Sequence, residues 1–142
     1  MKEAARRTPD LSLEETFLLA AAGLPGKDAR AGVVAEALGS LQRGFDAHYA
    51  GEGAGDEDIL VGDDAYALAV ETIARLDEPQ FVAVASRMIR DGAGRIASGG
   101  SVTLEMWTPH LAGLLDIISD EGAEESEARI RAAAGELRRR SG

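Results

Sequence analysis

The chain has 142 residues, enough for one domain with a core of its own. Its formal net charge is −10 at neutral pH, which argues against nucleic acid as a partner because phosphate backbones are bound by clustered Lys and Arg. The absence of cysteine excludes disulfides and thiolate chemistry.

The sequence shows no targeting or membrane segment. The N-terminal stretch MKEAARRTPDLSLEE lacks the apolar run that a secretory signal needs. No stretch of about 18 uncharged apolar residues occurs, so we expect no transmembrane helix. A cytoplasmic protein is the simplest interpretation.

Apolar residues recur at helical spacing along the chain, and the alternation typical of strands is nearly absent. We therefore expect an all-α fold of five to six helices. These helices are predicted to form a single domain, 1–142, with disordered tails at 1–10 and 139–142.

The first helix has a clear start and a clear end. Ser12 and Glu15 have the spacing of a capping box, and Leu11 is placed to pack back as a hydrophobic staple. The Gly-Leu-Pro-Gly stretch at 23–26 ends the helix.

The second helix is predicted from about Asp28 to Tyr49, and a Gly-rich acidic loop follows it. The third helix, DILVGDDAYALAVETIARL from Asp58 to Leu76, is apolar almost all the way round. It nevertheless carries Gly62-Asp63-Asp64 near its start, and the role of these carboxylates needs a physical explanation.

The remaining helices are marked by their prolines and charges. The fourth is predicted to begin at Pro79, since proline is favoured in the first helical turn. The fifth contains Pro109, which we expect either to kink the helix or to mark its start. A last, highly charged helix is predicted from about Ala123 to Arg140.

The two adjacent carboxylates of the third helix fall on different faces. Asp64 lines up with Leu68, Glu71 and Arg75 on a polar seam and is expected to be solvated. Asp63 lines up with apolar residues, where an unpaired carboxylate is costly. One interpretation is that Asp63 caps a helix beginning at Gly62.

The third helix shows two apolar stripes. The first runs from Asp63 through Ala67, Val70 and Ala74, and the second through Val61, Ala65, Leu68, Thr72 and Leu76. Two interpretations are open, because a second stripe is covered either by a partner protein or by other helices wrapped around a central one.

Three segments resemble the trans-polyprenyl diphosphate synthases. ILVGDDAYALAVETIARL is similar to the family's Gly-Asp helix, with Gly62 and Asp63 on its Gly-Asp pair. VVAEALGSLQRGFDAHYAG resembles the helix that carries the first aspartate-rich motif, and EMWTPHLAGLLDIISDEGA resembles a later segment with an aromatic residue followed by Lys-Thr-Ala. The resemblance spans about Leu13 to Gly122 and implies the front half of the isoprenoid (polyprenyl) synthase fold.

The departures from the family pattern imply a non-catalytic member. Catalytic members hold magnesium with carboxylates clustered on the aspartate-rich helix. At this vestigial motif position the chain has only Asp46, followed by His48, and the acidic stretch 51–58 replaces the basic pair that usually follows. His110 stands where the family has lysine. The chain thus resembles the small non-catalytic subunit (component I) of heteromeric heptaprenyl or hexaprenyl diphosphate synthases.

The resemblance implies a regulatory subunit of isoprenoid and menaquinone biosynthesis. Such a chain is not an enzyme on its own, has no catalytic or metal-binding residues, and binds no cofactor, with magnesium expected in the partner. Its partner is the catalytic large subunit in a heterodimer that makes long-chain prenyl diphosphate, a quinone side-chain precursor, and without that partner the chain forms a homodimer.

The family's dimer interface carries over to the third and fourth helices. Asp63 is then a structural or interface anion rather than a metal ligand. The implied partner-binding residues are Asp63, Tyr66, Val70, Ile73, Phe81, Ala85 and Met88.

Two other functions are compatible with these residues. An enzyme in its own right would bind metal with Asp46, His48 and Glu52, or with the run Asp56-Glu57-Asp58, although a spacing of two residues suits a shared helix face poorly. The other is a helical adaptor or self-associating bundle with no role in prenyl transfer.

Overall fold

A computed structural model of the chain describes residues 11–26, 28–50, 56–100 and 102–141. Within these ranges the chain forms helices and no strand, which confirms the predicted all-α fold. The helices are α1 (Leu13–Ala22), α2 (Ala29–Ala50), α3 (Asp56–Ala74), α4 (Pro79–Ala97), α5 (Leu104–Ser119) and α6 (Ala123–Ser141). None of these described helices has both the length and the apolar character to cross a membrane. The tail predicted at 1–10 lies outside the described residues.

The start of α1 confirms the capping pattern read from the sequence. The Ser12 hydroxyl accepts a hydrogen bond from the Glu15 amide at 3.0 Å, and Leu11 is buried. A side chain of α2 also binds the start of α1. Gln42 Oε1 accepts a hydrogen bond from the Leu13 amide at 2.8 Å, and Gln42 Nε2 donates one to the Leu11 carbonyl at 3.2 Å. The first turn of α1 is thereby fixed to α2.

Arg30 holds the start of α2 beside the start of α4. Its guanidinium lies 2.9 Å from Asp28 and 3.0 Å from Glu78, and 5.9 Å from the centre of the Phe81 ring. Hydrogen bonds to Asp28 and then to Glu78 raise the pKa of Arg30 above its usual range. Pro79 occupies the first turn of α4, as predicted.

The start of α5 is set by a cap and not by its proline. Thr103 accepts a hydrogen bond from the Met106 amide at 3.2 Å, and the helix begins at Leu104. Pro109 therefore lies inside α5, and the expectation that it marks the helix start is wrong. The inward face of α5 is buried at Leu104, Trp107, Leu111, Leu114 and Leu115.

The last helix runs further than the sequence predicted. α6 continues to Ser141, so residues 139–141 are helical and the tail predicted there is wrong. Glu136 lies 2.7 Å from Arg139 and 3.3 Å from Arg140, about one helical turn away. These pairs, together with the favourable position of arginines at a helix C-terminus, stabilise the last turn.

α3 lies at the edge of the helix bundle. Among the residues described, it packs along α2 and against α4 and contacts no other helix. The interpretation of α3 as a central helix wrapped by the others is therefore wrong. The core lies on the other side of α2, where Phe17, Leu38, Leu41, Trp107 and Ile130 are fully buried.

Gly92 and Gly94 of α4 test how tightly this core is packed. A Cβ at Gly92 would lie 2.5 Å from Phe45 Cε1 and 2.8 Å from Trp107 Cη2, whereas one at Gly94 would meet no atom within 4 Å. We expect Gly92→Ala to lower the free energy of unfolding by about 1–3 kcal/mol through overpacking. We expect Gly94→Ala to raise it by about 0.4–1 kcal/mol, because alanine reduces the entropy of the unfolded chain. Urea unfolding followed by circular dichroism measures both, and equal stability of the two variants would contradict the packing.

Candidate functional site

Both carboxylates of the Gly62-Asp63-Asp64 stretch are exposed. α3 begins at Asp56, so Asp63 lies inside the helix and does not cap it. The Asp63 side chain is 60% exposed, which also corrects its predicted place on an inward apolar stripe. Asp64 is exposed, as the polar seam predicted. The cap prediction failed because the acidic residues before Gly62 are part of the helix rather than of a loop.

Asp63 contacts a histidine of the neighbouring helix. Its Oδ1 lies 3.2 Å from Nε2 of His48 on α2. The His48 ring lies directly against Gly62, where a Cβ would overlap the ring atoms Cδ2 and Nε2. Gly62 therefore leaves space for the ring and Asp63 contacts its nitrogen. Two features that the sequence singled out separately, the Gly-Asp pair and the vestigial motif position, meet in the fold.

His48 begins a row of five rings that we call the ring cluster. Its members in spatial order are His48, Tyr66, Phe45, Trp107 and His110, with successive ring centres 4.8, 5.3, 4.9 and 6.0 Å apart. Phe45 and Trp107 are stacked at 13°. At the far end His110 Nε2 lies 3.1 Å from Asp91 Oδ2. Both histidines of the chain thus end the row, and each contacts an aspartate.

Glycines let the helices approach closely enough to form this row. Gly44 of α2 faces the Tyr66 ring of α3, while Gly62 of α3 faces the His48 ring of α2. A Cβ at Gly44 would also lie 3.1 Å from the Gly62 carbonyl oxygen, so the two backbones are close. A glycine of α2 thus packs against a ring of α3, and a glycine of α3 packs against a ring of α2. Gly92 of α4 lies against the middle of the row.

The ring cluster is polar at its ends and buried at its centre. The Tyr66 hydroxyl and Trp107 Nε1 are buried, and neither has a hydrogen-bond partner in the described part of the chain. Burial, and then the charge of Asp63, raise the pKa of the Tyr66 phenol above its usual range. Aromatic pairs of this geometry contribute about 0.5–1.5 kcal/mol each beyond their burial. The cluster stabilises the junction of α2, α3 and α5.

The structure describes some of the candidate metal ligands and not others. Among the described residues, no three His, Asp or Glu side chains come together as metal ligands. Asp46 is exposed, and His48 is half-buried beside Gly62. Glu52 and the side chains of 56–58 lie outside the described residues.

α3 also presents an exposed apolar surface, which we call the α3 apolar face. It consists of Leu60, Val61 and Leu68, which are 62%, 53% and 43% exposed. Val61 and Leu68 belong to one of the two stripes read from the sequence. The buried residues of α3 are Gly62, Tyr66, Ala69, Thr72 and Ile73. Of these, only Thr72 belongs to the predicted stripe that contains Val61 and Leu68.

Most side chains predicted to bind a partner lie in this chain's own core. Tyr66, Ile73, Phe81, Ala85 and Met88 are buried by other helices of the same chain, Val70 is half-buried, and only Asp63 is exposed. In this fold the five buried side chains present no surface to a partner. The exposed large apolar residues of the described part of the chain are instead Leu18 of α1 and the three residues of the α3 apolar face. The stripe through Val61 and Leu68 was the sequence signal for two of them.

Comparisons of the chain with models of protein families, with curated proteins and with solved structures give no match. The resemblance carried by Gly62 and Asp63 stays a prediction.

Replacing Gly62 tests the contact between α2 and α3. Gly62→Ala forces the His48 ring away from Asp63, and we expect a loss of about 1–3 kcal/mol in the free energy of unfolding. Gly113 of α5 is the matched control, since a Cβ there would meet no atom within 4 Å. Gly113→Ala is expected to be neutral or stabilising in the same urea titration. A Gly62→Ala protein as stable as the unchanged chain would show that His48 is not held against this glycine.

The buried phenol of Tyr66 gives the chain a pH dependence at alkaline pH. The pKa of Tyr66 in the folded state is raised above the ordinary value of about 10. The folded state therefore keeps the phenol proton that the unfolded chain releases above that pH, and the free energy of unfolding falls as pH rises further. Above pH 10 we expect this loss to approach about 1.4 kcal/mol per pH unit. Tyr66→Phe should remove this part of the loss and leave stability at pH 7 unchanged or higher, because the hydroxyl has no described partner. Unfolding titrations of both proteins from pH 8 to 11 measure the difference, and parallel curves would contradict it.

Proposed function

We propose that this chain is the non-catalytic, regulatory small subunit of a heteromeric trans-polyprenyl diphosphate synthase, acting in the cytoplasm as one half of a heterodimer. The catalytic partner ionises the allylic diphosphate with magnesium and adds isopentenyl units. The product is a long-chain prenyl diphosphate, a quinone side-chain precursor of the menaquinone type. The observation that carries the proposal is the α3 apolar face on the Gly-Asp helix.

The α3 apolar face has the character of a partner surface. Leu60, Val61 and Leu68 are large apolar side chains on a helix at the edge of the bundle, where no other described helix covers them. Clustered exposed apolar residues of this kind mark interaction sites. Full burial of an exposed side chain of this size contributes about 1.5–3 kcal/mol, and covering the exposed part of each of these three contributes about half of that. A partner helix lying along α3 would therefore gain affinity from this face.

Acidic side chains lie within and beside the same face. Asp63, Asp64 and Glu71 of α3 are exposed. Asp64 lies one helical turn from both Leu60 and Leu68 and so stands between them. A partner surface that matches this face combines apolar and basic residues, because complementary charge favours correct docking and speeds association.

The contact between His48 and Asp63 supports a structural role for the Gly-Asp pair. His48 lies at the position where the resemblance places a metal-binding motif. Its Nε2 is 3.2 Å from Oδ1 of Asp63. Asp63 is then an anion that orients a ring between α2 and α3, beside the proposed interface. The chain contributes shape and surface to the complex, while the diphosphate chemistry belongs to the partner.

The proposed contribution of this subunit is to fix the active conformation of its partner and to cover the growing product. A prenyl chain shielded from water is stabilised by about 25 cal/mol for each Å² of apolar area removed from solvent. A covered cavity thus favours long products before release. The alternative is a helical adaptor or self-associating bundle, in which a second copy of the chain covers the α3 apolar face.

Purification of the tagged chain from its own cells tests the proposal. We expect mass spectrometry to identify a longer chain with two Asp-Asp-x-x-Asp motifs at a ratio near one to one. Turnover of allylic and isopentenyl diphosphates with magnesium is expected only when both chains are present. Recovery of the chain alone or as a homodimer would favour the adaptor, and turnover by this chain alone would refute the non-catalytic role.

Variants of the α3 apolar face locate the contact. Val61→Lys and Leu68→Lys are expected to abolish recovery of the partner, while each lysine is accommodated because Asp64 lies one turn away on α3. Leu18→Lys is the matched control, since Leu18 of α1 is 42% exposed but lies on another helix. Retention of the partner by both α3 variants would place the interface elsewhere.

A further inference from the structure

A second surface feature lies at the opposite end of α2 from the ring cluster. The end of α1, residues 24–26 of the loop that follows it, the first turn of α2 and the end of α5 line a half-open cleft of about 880 Å³. Small-molecule sites commonly measure about 300–1,000 Å³. The size of this cleft therefore suits a small molecule.

The walls of the cleft are mainly apolar. Leu18 from α1, Leu24 from the loop and Ile118 from α5 contribute large side chains. Leu18 is 42% exposed, whereas Leu24 and Ile118 are half-buried against the core. An apolar molecule in the cleft would cover the exposed part of Leu18 and extend the core outward.

Among the described residues that line the cleft, Asp28 and Glu121 are charged, and both are already paired. Asp28 lies 2.9 Å from Arg30, and Glu121 lies 2.8 Å from Arg129. Hydrogen bonds from these arginines hold the pKa of both carboxyls below their usual range, so both stay ionised within their pairs. A charged ligand would have to displace an arginine or remain unpaired, which is costly next to apolar walls. The charge pattern therefore selects a neutral ligand.

Gly32 of α2 keeps one side of the cleft open. It lines the cleft, and a Cβ there would meet no atom within 4 Å. A larger residue at this position would reach into the space rather than into the fold. Gly32 is thus the position at which the cleft can be filled without disturbing the core.

We propose that the cleft between α1, the start of α2 and the end of α5 is a binding site for a neutral, predominantly apolar small molecule. Its size, its apolar walls and its internally paired carboxylates carry this assignment. The proposal does not depend on the proposed function, because the α3 apolar face lies on a different helix.

Fluorescence titration of the full chain with N-phenyl-1-naphthylamine, a neutral apolar dye, tests the site. We expect saturable binding with a dissociation constant of about 1–100 µM, a usual range for an apolar ligand of this size. The dye 8-anilinonaphthalene-1-sulfonate has the same ring system with an added negative charge, and we expect it to bind at least about fivefold more weakly. The absence of saturable binding, or equal affinity for the two dyes, would overturn the proposal.

Filling the cleft distinguishes this site from other apolar surfaces. Gly32→Leu is expected to weaken binding of the neutral dye at least about tenfold by occupying the cleft. Gly94→Leu, at an equally open glycine of α4, should leave the affinity within about twofold. Thermal unfolding of both variants checks that they fold. An unchanged affinity in Gly32→Leu, or an equal loss in Gly94→Leu, would refute the assignment.

Leu18→Lys provides an independent variant, because it replaces an apolar wall of the cleft by a charged side chain. We expect it to lose the neutral dye while it still recovers the partner protein, and the α3 variants Val61→Lys and Leu68→Lys to show the reverse. Dye binding that survives Leu18→Lys would argue against this cleft. The proposed small-molecule site and the proposed partner surface are therefore tested separately, and the failure of one does not decide the other.

Discussion

The close approach of α2 and α3 determines which parts of this molecule face solvent. Gly44 accepts the Tyr66 ring and Gly62 accepts the His48 ring, so each ring occupies space that any side chain at the facing glycine would fill. Two such contacts, placed on both helices, fix the rotation of α3 about its axis. The α3 apolar face is exposed as a consequence, because the stripe that contains Tyr66 is the one turned inward.

The ring cluster extends this constraint across the fold. Phe45 stacks on Trp107 and so joins α2 to α5, while Gly92 brings α4 against the same rings. The row ends in a partly exposed histidine on each side, with an aspartate beside it, while Tyr66, Phe45 and Trp107 between them are buried. A packing change in the middle of the row is therefore expected to affect three helices at once.

The two proposed surfaces are separated by the length of α2. Gly32 at the cleft and His48 beside α3 are 16 residues apart on one helix, which corresponds to about 24 Å. The charges at the two surfaces also differ, since Asp28 and Glu121 at the cleft are paired with arginines, whereas the α3 apolar face is bordered by exposed acids. The first charge pattern fits the proposed neutral small molecule, and the second fits a proposed protein partner with both apolar and basic residues.

The sequence by itself determined that the chain is helical and where α1 and α4 begin, because caps and helical periodicity depend on residues within about four positions of each other. The cap formed by Ser12 and Glu15 and the place of Pro79 are of this kind. Only the tertiary structure decided the role of Asp63, since its partner His48 lies on another helix. It also decided that Phe81 and Met88 are covered by their own chain while Leu68 is not. Periodicity identifies the apolar side of a helix, but the hydrophobic effect has no direction, so the pattern does not specify what covers that side.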